Sequence, residues 1–254
     1  MLRSVGNGSF KKIFLILLSV SMMVVTECEE FLAPFFSGEV FISEASHTQI
    51  ISAYRQTFHG KLSEVVEQGG DTIRLSRHNI SFQDIKTLSC VERLRVVRIT
   101  GERLSSQAAI VFASMPHLEQ LHLVDIEIDD DFLANLTTSR SLWLLNLRGK
   151  GFSEKGIKAL SKCQSLRQLR LVIPGVGDSF ASAVSFAKTL RQVHLIGGAI
   201  TDNGLQLLAC LPFLESLYLD DAVVSEDGLI SFVENNRHIH LHIDQLHLPL
   251  DLLQ

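Results

Sequence analysis

The sequence predicts an α/β solenoid, a curved right-handed stack of repeats with parallel strands on the concave face and short helices on the convex face. Two observations predict it. Apolar residues return every 24 residues from Gly70 onward, and helix-capping residues return in the same register. The 254-residue chain is also 46% hydrophobic, which is enough to fill a continuous core along such a stack.

Three columns of the repeat carry the apolar pattern. Position one is Leu94, Leu118, Leu142, Leu166, Leu190 and Leu214. Position four is Ile73, Val97, Leu121, Leu145, Leu169, Val193, Leu217 and Leu241, and position six is Leu75, Ile99, Leu123, Leu147, Leu171, Leu195, Leu219 and Ile243. Side chains two residues apart share one face of a strand, whereas positions three, five and seven point to the other face. Each copy is therefore predicted to open with a short strand.

A helix is predicted to begin after position twelve of each copy. That position holds Ser81, Ser105, Asp129, Ser153, Gly177, Thr201 and Ser225, and position thirteen is acidic in Asp130, Glu154, Asp178, Asp202 and Glu226. Such residues cap a helix N-terminus or suit its dipole. Apolar residues at positions sixteen and nineteen share one helical face and are expected to pack onto the strands.

The periodicity divides the chain into three regions. Residues 70–254 form the repeat domain, with seven full copies and a partial one at the C-terminus. No copy can bury its apolar strip alone, and the ends of a stack need a cover, so residues 29–69 are predicted to form a helical N-terminal cap. An irregularity is expected near Pro174-Gly175-Val176-Gly177, the least typical copy.

Residues 1–28 have the layout of an export signal. Basic residues precede thirteen uncharged ones, from Ile13 to Val25. Thirteen residues of helix span roughly 20 Å, less than the roughly 30 Å hydrocarbon core of a bilayer. A cleaved signal peptide is predicted, with cleavage before Glu29, and a retained membrane anchor is the alternative.

The repeat resembles a known family at several motifs. Ile200-Thr201-Asp202-x-Gly204-Leu205, following Leu190-x-x-Val193-x-Leu195, is similar to the I-T-D-x-G-L class of leucine-rich repeats. Phe152-Ser153-Glu154-Lys155-Gly156-Ile157 is a close variant. The segment from Leu62 to Gly70 resembles the cap of exported bacterial leucine-rich-repeat proteins of the planctomycete type. The resemblance implies a recognition function. The class also occurs in eukaryotic F-box proteins, but residues 29–69 do not resemble an F-box.

The concave strand face is the predicted binding surface, because its side chains are not needed for the core. Position five has no acidic residue, and position two adds the only tryptophan, expected to be exposed, and further arginines. Arginine, tryptophan and tyrosine are enriched in interface hot spots. The predicted partner-binding residues are Arg74, Arg98, His122, Trp143, Asn146, Arg170, His194, Tyr218 and His242. The alternative is an ordinary solvated sheet face, with the arginines shielded by flanking acids.

The remaining motifs predict no chemistry. His238, His240, His242 and Asp244 alternate along a strand, but their spacing is permissive rather than specific, so no metal site is predicted. Cys90, Cys163 and Cys210 lie two or more copies apart, too far for a disulfide, and are expected to be buried. No nucleophile–base arrangement or phosphate loop is present, so neither catalytic residues nor a cofactor are predicted.

These expectations converge on a non-enzymatic, exported or envelope-associated module that binds a protein or a glycan. A net charge of -5 argues against nucleic acid as the partner. A monomer is expected. Two alternatives stay open: a structural envelope protein tethered through residues 13–25, and an intracellular adaptor of the F-box type without its F-box.

Overall fold

The computed structural model of the chain describes residues 57–76, 80–101, 103–172, 175 and 177–244, and the backbone of 246–247. The predicted signal segment and most of the predicted cap lie outside these residues. The chain divides into two compact units, Met1–Glu64 and Val65–Gln254. The first unit is described only from residue 57, and helix α1 (Phe58–Glu67) begins at the next residue.

Strands and helices alternate along the second unit. The strands are β1 (Thr72–Ser76), β2 (Val96–Thr100), β3 (Gln120–Glu127), β4 (Leu144–Lys150), β5 (Gln168–Val172), β6 (Gln192–Ile196), β7 (Ser216–Asp220), β8 (His240–Ile243) and β9 (Leu246–His247). The helices are α2 (Phe82–Ser89), α3 (Ser106–Ser114), α4 (Asp130–Leu136), α5 (Glu154–Ala159), α6 (Asp178–Val184), α7 (Asp202–Ala209) and α8 (Glu226–Asn235), with a 3-10 turn at Leu160–Lys162. The predicted α/β repeat is confirmed at this level.

All nine described strands form one sheet in chain order. Strands β1 to β8 are parallel, and almost every residue pairs with the residue 24 positions further on, as Ile73 pairs with Val97. The sequence period is therefore the strand-pairing register. Strand β9 turns back and pairs antiparallel with the last parallel strand, β8.

The core lies between the sheet and the helices. At positions four and six every side chain is buried except that of Ile243, which is half-buried. The apolar helix positions, such as Ile85 and Leu88 of α2, are buried as well. Positions three, five and seven are exposed or half-buried, and we call the side of the strands to which they point the outer sheet face.

Each of the seven helices α2 to α8 begins where the sequence predicts. The seven residues at position twelve are the N-caps, and five of their side chains accept a hydrogen bond from a backbone N–H of the first turn. Ser105 and Gly177 do not. The cap without a side chain, Gly177, belongs to the copy predicted to be irregular. Pro174 and Val176 of that copy lie outside the described residues.

The strand register shifts once, at a place that the sequence does not signal. Between β3 and β4 the pairing slips between Val124 and Ile126, and Asp125 adopts a left-handed conformation with φ of 55°. A Cβ atom added to Gly149 would lie 2.1 Å from the carbonyl oxygen of Ile126. Glycine at position 149 therefore permits this close backbone approach.

The acidic residues at position thirteen join neighbouring copies. The Asp202 carboxylate of α7 accepts hydrogen bonds from the backbone N–H of Ser225 at 2.8 Å and from its hydroxyl at 2.6 Å. These two bonds lower the pKa of Asp202. Asp178 bonds to Thr201 and Asp130 bonds to Ser153 in the same way. The helix dipole alone does not account for the aspartates at position thirteen, because each one also accepts hydrogen bonds from the N-cap residue of the next helix.

The same contact explains a glycine two residues after position thirteen. A Cβ at Gly228 would lie 2.1 Å from the Asp202 carboxylate, and a Cβ at Gly204 would lie 2.2 Å from that of Asp178. The copy that follows Glu154 has no such glycine. There the longer Glu154 side chain instead accepts a hydrogen bond from the Ser179 hydroxyl at 2.7 Å. An aspartate at position thirteen of one copy thus requires glycine at position fifteen of the next copy.

Substitution at this contact tests the explanation. Alanine is favoured over glycine in a helix by up to about 1 kcal/mol, so Gly228→Ala would stabilise the fold if space were available. Because the added methyl group meets the Asp202 carboxylate, we expect Gly228→Ala to lower the free energy of unfolding by about 1–3 kcal/mol. Urea denaturation measures the change.

A second background supplies the control. In a chain that carries Asp202→Ala, the methyl group meets no carboxylate, so Gly228→Ala should be neutral or stabilising there. Equal destabilisation in both backgrounds would contradict the proposed contact.

Candidate functional site

Eight of the nine predicted binding residues form one row across the outer sheet face. Strand pairing places each of them beside its neighbour in the next copy. In order the row is Arg74, Arg98, His122, Asn146, Arg170, His194, Tyr218 and His242. Arg74 and Arg98 are exposed, whereas the other six are half-buried. We call this set the position-five row.

A hydrogen-bonded chain occupies the middle of the position-five row. A guanidinium nitrogen of Arg170 donates to the side-chain oxygen of Asn146 at 3.4 Å, and the Asn146 amide nitrogen lies 3.3 Å from Nδ1 of His122. A guanidinium nitrogen of Arg98 lies 3.3 Å from the same Nδ1. Both of these neighbours can only donate, so Nδ1 of His122 must accept. The imidazole is consequently neutral and carries its proton on Nε2.

The remaining contact of His122 fits this tautomer. Nε2 lies 3.3 Å from the side-chain oxygen of Gln120, which can only accept. Burial lowers the pKa of His122, and the positive charges of Arg98 and Arg74 lower it further. His122 therefore holds two donors in place without adding charge to the row near neutral pH.

The other end of the position-five row is aromatic and acidic. The Tyr218 and His242 rings are stacked, with centroids 4.3 Å apart and an angle of 12° between their planes. His194 lies against the other side, its centroid 5.3 Å from that of Tyr218. Nε2 of His194 is 2.9 Å from a carboxylate oxygen of Asp220. Burial lowers the pKa of His194, although the hydrogen bond to Asp220 opposes this shift.

Acidic residues neutralise two of the three arginines at position two. Arg95 forms an ion pair with Glu119, and Arg191 forms one with Glu215, each with the acid at the same position of the next copy. For these two residues the structure agrees with the alternative of arginines shielded by flanking acids. Arg167 instead donates to the backbone carbonyls of Gln164 and Leu166.

Trp143, the ninth predicted residue, also differs from expectation. It was expected to be exposed, but it is half-buried, and its indole N–H donates to Glu119 at 3.4 Å. Glu119 thus contacts both Arg95 and Trp143, and sequence reasoning missed it. The 24-residue spacing of Arg95, Glu119 and Trp143 was the signal that could have revealed this cluster.

The histidine run at the C-terminal end forms the predicted alternating strand only in part. Strand β8 covers only His240–Ile243, and Asp244 adopts a left-handed conformation with φ of 48°. The Asp244 carboxylate accepts the backbone N–H of Asp221 at 2.8 Å. Within the described part of the chain, no group of three or more metal-binding side chains comes together.

The cysteines are only partly as predicted. The three described cysteines are free thiols, and Cys163 is buried, whereas Cys90 and Cys210 are exposed. The difference follows from their positions in the repeat. Cys163 stands at position twenty-two, whose buried members include Val91 and Leu211, whereas Cys90 and Cys210 each stand one position earlier and outside that column.

Comparison with known proteins does not assign the chain to a family. No protein-family model matches the sequence, and no curated protein matches it. Among the helices that the structure describes, none is long and apolar enough to cross a membrane. The segment 13–25, for which a signal or an anchor is predicted, lies outside the described residues.

The protonation state of His122 can be measured directly. We expect its pKa to lie below the ordinary histidine value of about 6.5, and Arg98→Gln to raise it. NMR titration of the ring protons measures the pKa, with His122→Asn used to assign the signal. Lys155→Gln removes an exposed charge on α5 as a control. A pKa at or above the ordinary value would contradict the neutral hydrogen-bonded ring.

Proposed function

We propose that this protein is a non-enzymatic recognition module of the leucine-rich-repeat class that binds a protein or glycan partner along its outer sheet face. The position-five row carries the proposal. It is a continuous line of polar, charged and aromatic side chains on one face of eight parallel strands, and the core does not use these side chains.

The assignment to the I-T-D-x-G-L class is supported by the contacts between helices. The aspartate of the motif bonds to the serine or threonine of the next copy and leaves no room for a side chain at its glycine. The letters of the motif thus follow from the way neighbouring copies stack.

Recognition is favoured over a purely structural role by the character of the row. A sheet face that only needs solvation has no reason to stack Tyr218 on His242 or to hold Trp143 against Glu119. Partly buried aromatic side chains next to charged groups are frequent at the centres of protein interfaces. In leucine-rich repeats of this kind, the strand face would be concave, which increases contact with a partner.

Two substitutions test the proposed surface. Trp143→Ala removes the largest side chain beside the row, and Arg170→Glu reverses a half-buried charge within it. Each should weaken binding of an isolated partner by about 2 kcal/mol or more, roughly thirtyfold in Kd, as at interface hot spots. Calorimetry with the purified partner measures the change.

Matched substitutions on the helices are the controls. Ile110→Ala truncates an exposed apolar side chain of α3, and Lys155→Glu reverses an exposed charge on α5. Both should leave the affinity unchanged. Undiminished binding by the Trp143 and Arg170 variants, or an equal loss in the controls, would refute the outer sheet face as the binding surface.

We further propose that the protein is exported or held at the cell envelope. The support is the layout of residues 1–28, a basic start followed by thirteen uncharged residues. Sequencing the N-terminus of the purified native protein distinguishes the cases. A chain that begins near Glu29 supports release, and an intact N-terminus in the membrane fraction supports a tether. Intact protein in the cytosol would refute export.

A further inference from the structure

The arginines of the outer sheet face differ in their partners. Three at positions two and seven are paired with acids: Arg95 with Glu119, Arg191 with Glu215, and Arg148 with Asp125 at 2.9 Å. A fourth, Arg167 at position two, donates to backbone carbonyls. Those of the position-five row form no ion pair with any residue that the structure describes. These are Arg74, Arg98 and Arg170.

The unpaired arginines are unfavourable for the isolated fold. Arg74 and Arg98 are directly paired in register on β1 and β2, and like charges opposite each other destabilise a sheet. The next pair of strands shows the alternative, because Arg95, just before β2, pairs with Glu119, which stands at the same position of the next copy, just before β3. An acidic residue at position 74 or 98 would have removed the repulsion. The two arginines thus leave positive charge for an external group.

The hydrogen-bonded chain keeps these charges in place. His122 accepts from Arg98 and from Asn146, and Asn146 accepts from Arg170. Neighbouring side chains of the row therefore orient Arg98 and Arg170. Because His122 is neutral, no negative charge lies between the two guanidinium groups. A guanidinium group retains further N–H donors after one bond, and its planar fork suits a carboxylate.

The charge beside the position-five row is negative at its other end. Strands in a sheet lie about 4.8 Å apart, so the positive stretch from β1 to β5 spans roughly 19 Å, and β7 lies roughly 29 Å from β1. At β7, Asp220 contacts His194, and the Tyr218–His242 stack presents aromatic rings beside it. A ligand along the whole row meets cations first, and then aromatic rings and an acid.

We infer that the position-five row binds an extended peptide segment whose acidic end lies over Arg74 and Arg98 and whose aromatic or basic end lies over Tyr218 and Asp220. This inference rests on the proposed recognition function and specifies its partner. An extended peptide advances about 3.3 Å per residue, so about nine residues reach from β1 to β7. A uniform polyanion such as a sulfated glycan fits poorly, because it would carry negative charge onto Asp220.

Synthetic peptides test the inference with the full chain. The probe is a fluorescein-labelled peptide of nine residues, with three glutamates at one end, a serine–glycine centre, and one tyrosine and two lysines at the other end. It is made in both chain directions, because the row does not specify one. A uniform peptide with glutamates in place of the lysines, and a sulfated oligosaccharide, are the comparison ligands. Fluorescence anisotropy and competition measure Kd.

We expect the mixed peptide, in one direction, to bind about fivefold more tightly than the uniform peptide, as for one extra partly exposed ion pair. The doubly substituted variant Arg74→Glu/Arg98→Glu should weaken binding of the mixed peptide about tenfold or more. The same variant should prefer a peptide in which lysines replace the three glutamates. Lys155→Glu should change neither affinity. Thermal melts followed by circular dichroism check that the variants are folded.

Three results would overturn the inference: no binding of either mixed peptide, tighter binding of the sulfated oligosaccharide, or an unchanged preference in the doubly substituted variant. None of them would refute the proposed recognition function. That function fails if Trp143→Ala and Arg170→Glu leave the affinity for an isolated partner unchanged, or if the control variants lose as much affinity. The two proposals therefore fail on different measurements.

Discussion

Parallel pairing of each residue with the residue 24 positions away is the constraint on which the rest of the structure depends. A slip of one residue would turn the buried leucines at positions four and six to solvent. On the helix side, the bonds from Asp130, Asp178 and Asp202 to the next N-cap hold the same register. Strand pairing and helix capping thus agree, and this agreement allows neighbouring copies to share one core.

The same constraint creates the outer sheet face. Because like positions lie side by side, a column of the sequence becomes a line of side chains in space. Where the column alternates in charge, as at Arg95 and Glu119, neighbouring copies neutralise each other. Where it does not, as at Arg74 and Arg98, no acid among the described residues pairs with the arginines. The sheet therefore separates arginines that stabilise the stack from arginines that we propose bind a partner.

The predictions that failed concern contacts between neighbouring copies or the exact position of a residue within its copy. Trp143 is half-buried because Glu119 lies beside it, and Asp244 leaves the strand and caps Asp221. Cys90 and Cys210 are exposed because they stand one position before a buried column. Near Asp125 the backbone departs from the register altogether. The sequence predicts well which residues share a column of the repeat. It does not show which side chains contact residues of a neighbouring copy.

The sequence by itself determined the repeat length, the strand and helix of each copy, the N-caps and the membership of the position-five row. These features depend on local periodicity and capping, which are properties of one copy. Only the tertiary structure decided which arginines are neutralised, which tautomer His122 adopts and why glycine follows aspartate by 26 residues, as in Asp202 and Gly228. The physical reason is that each of these depends on distances between atoms of neighbouring copies, which exist only once the copies are stacked.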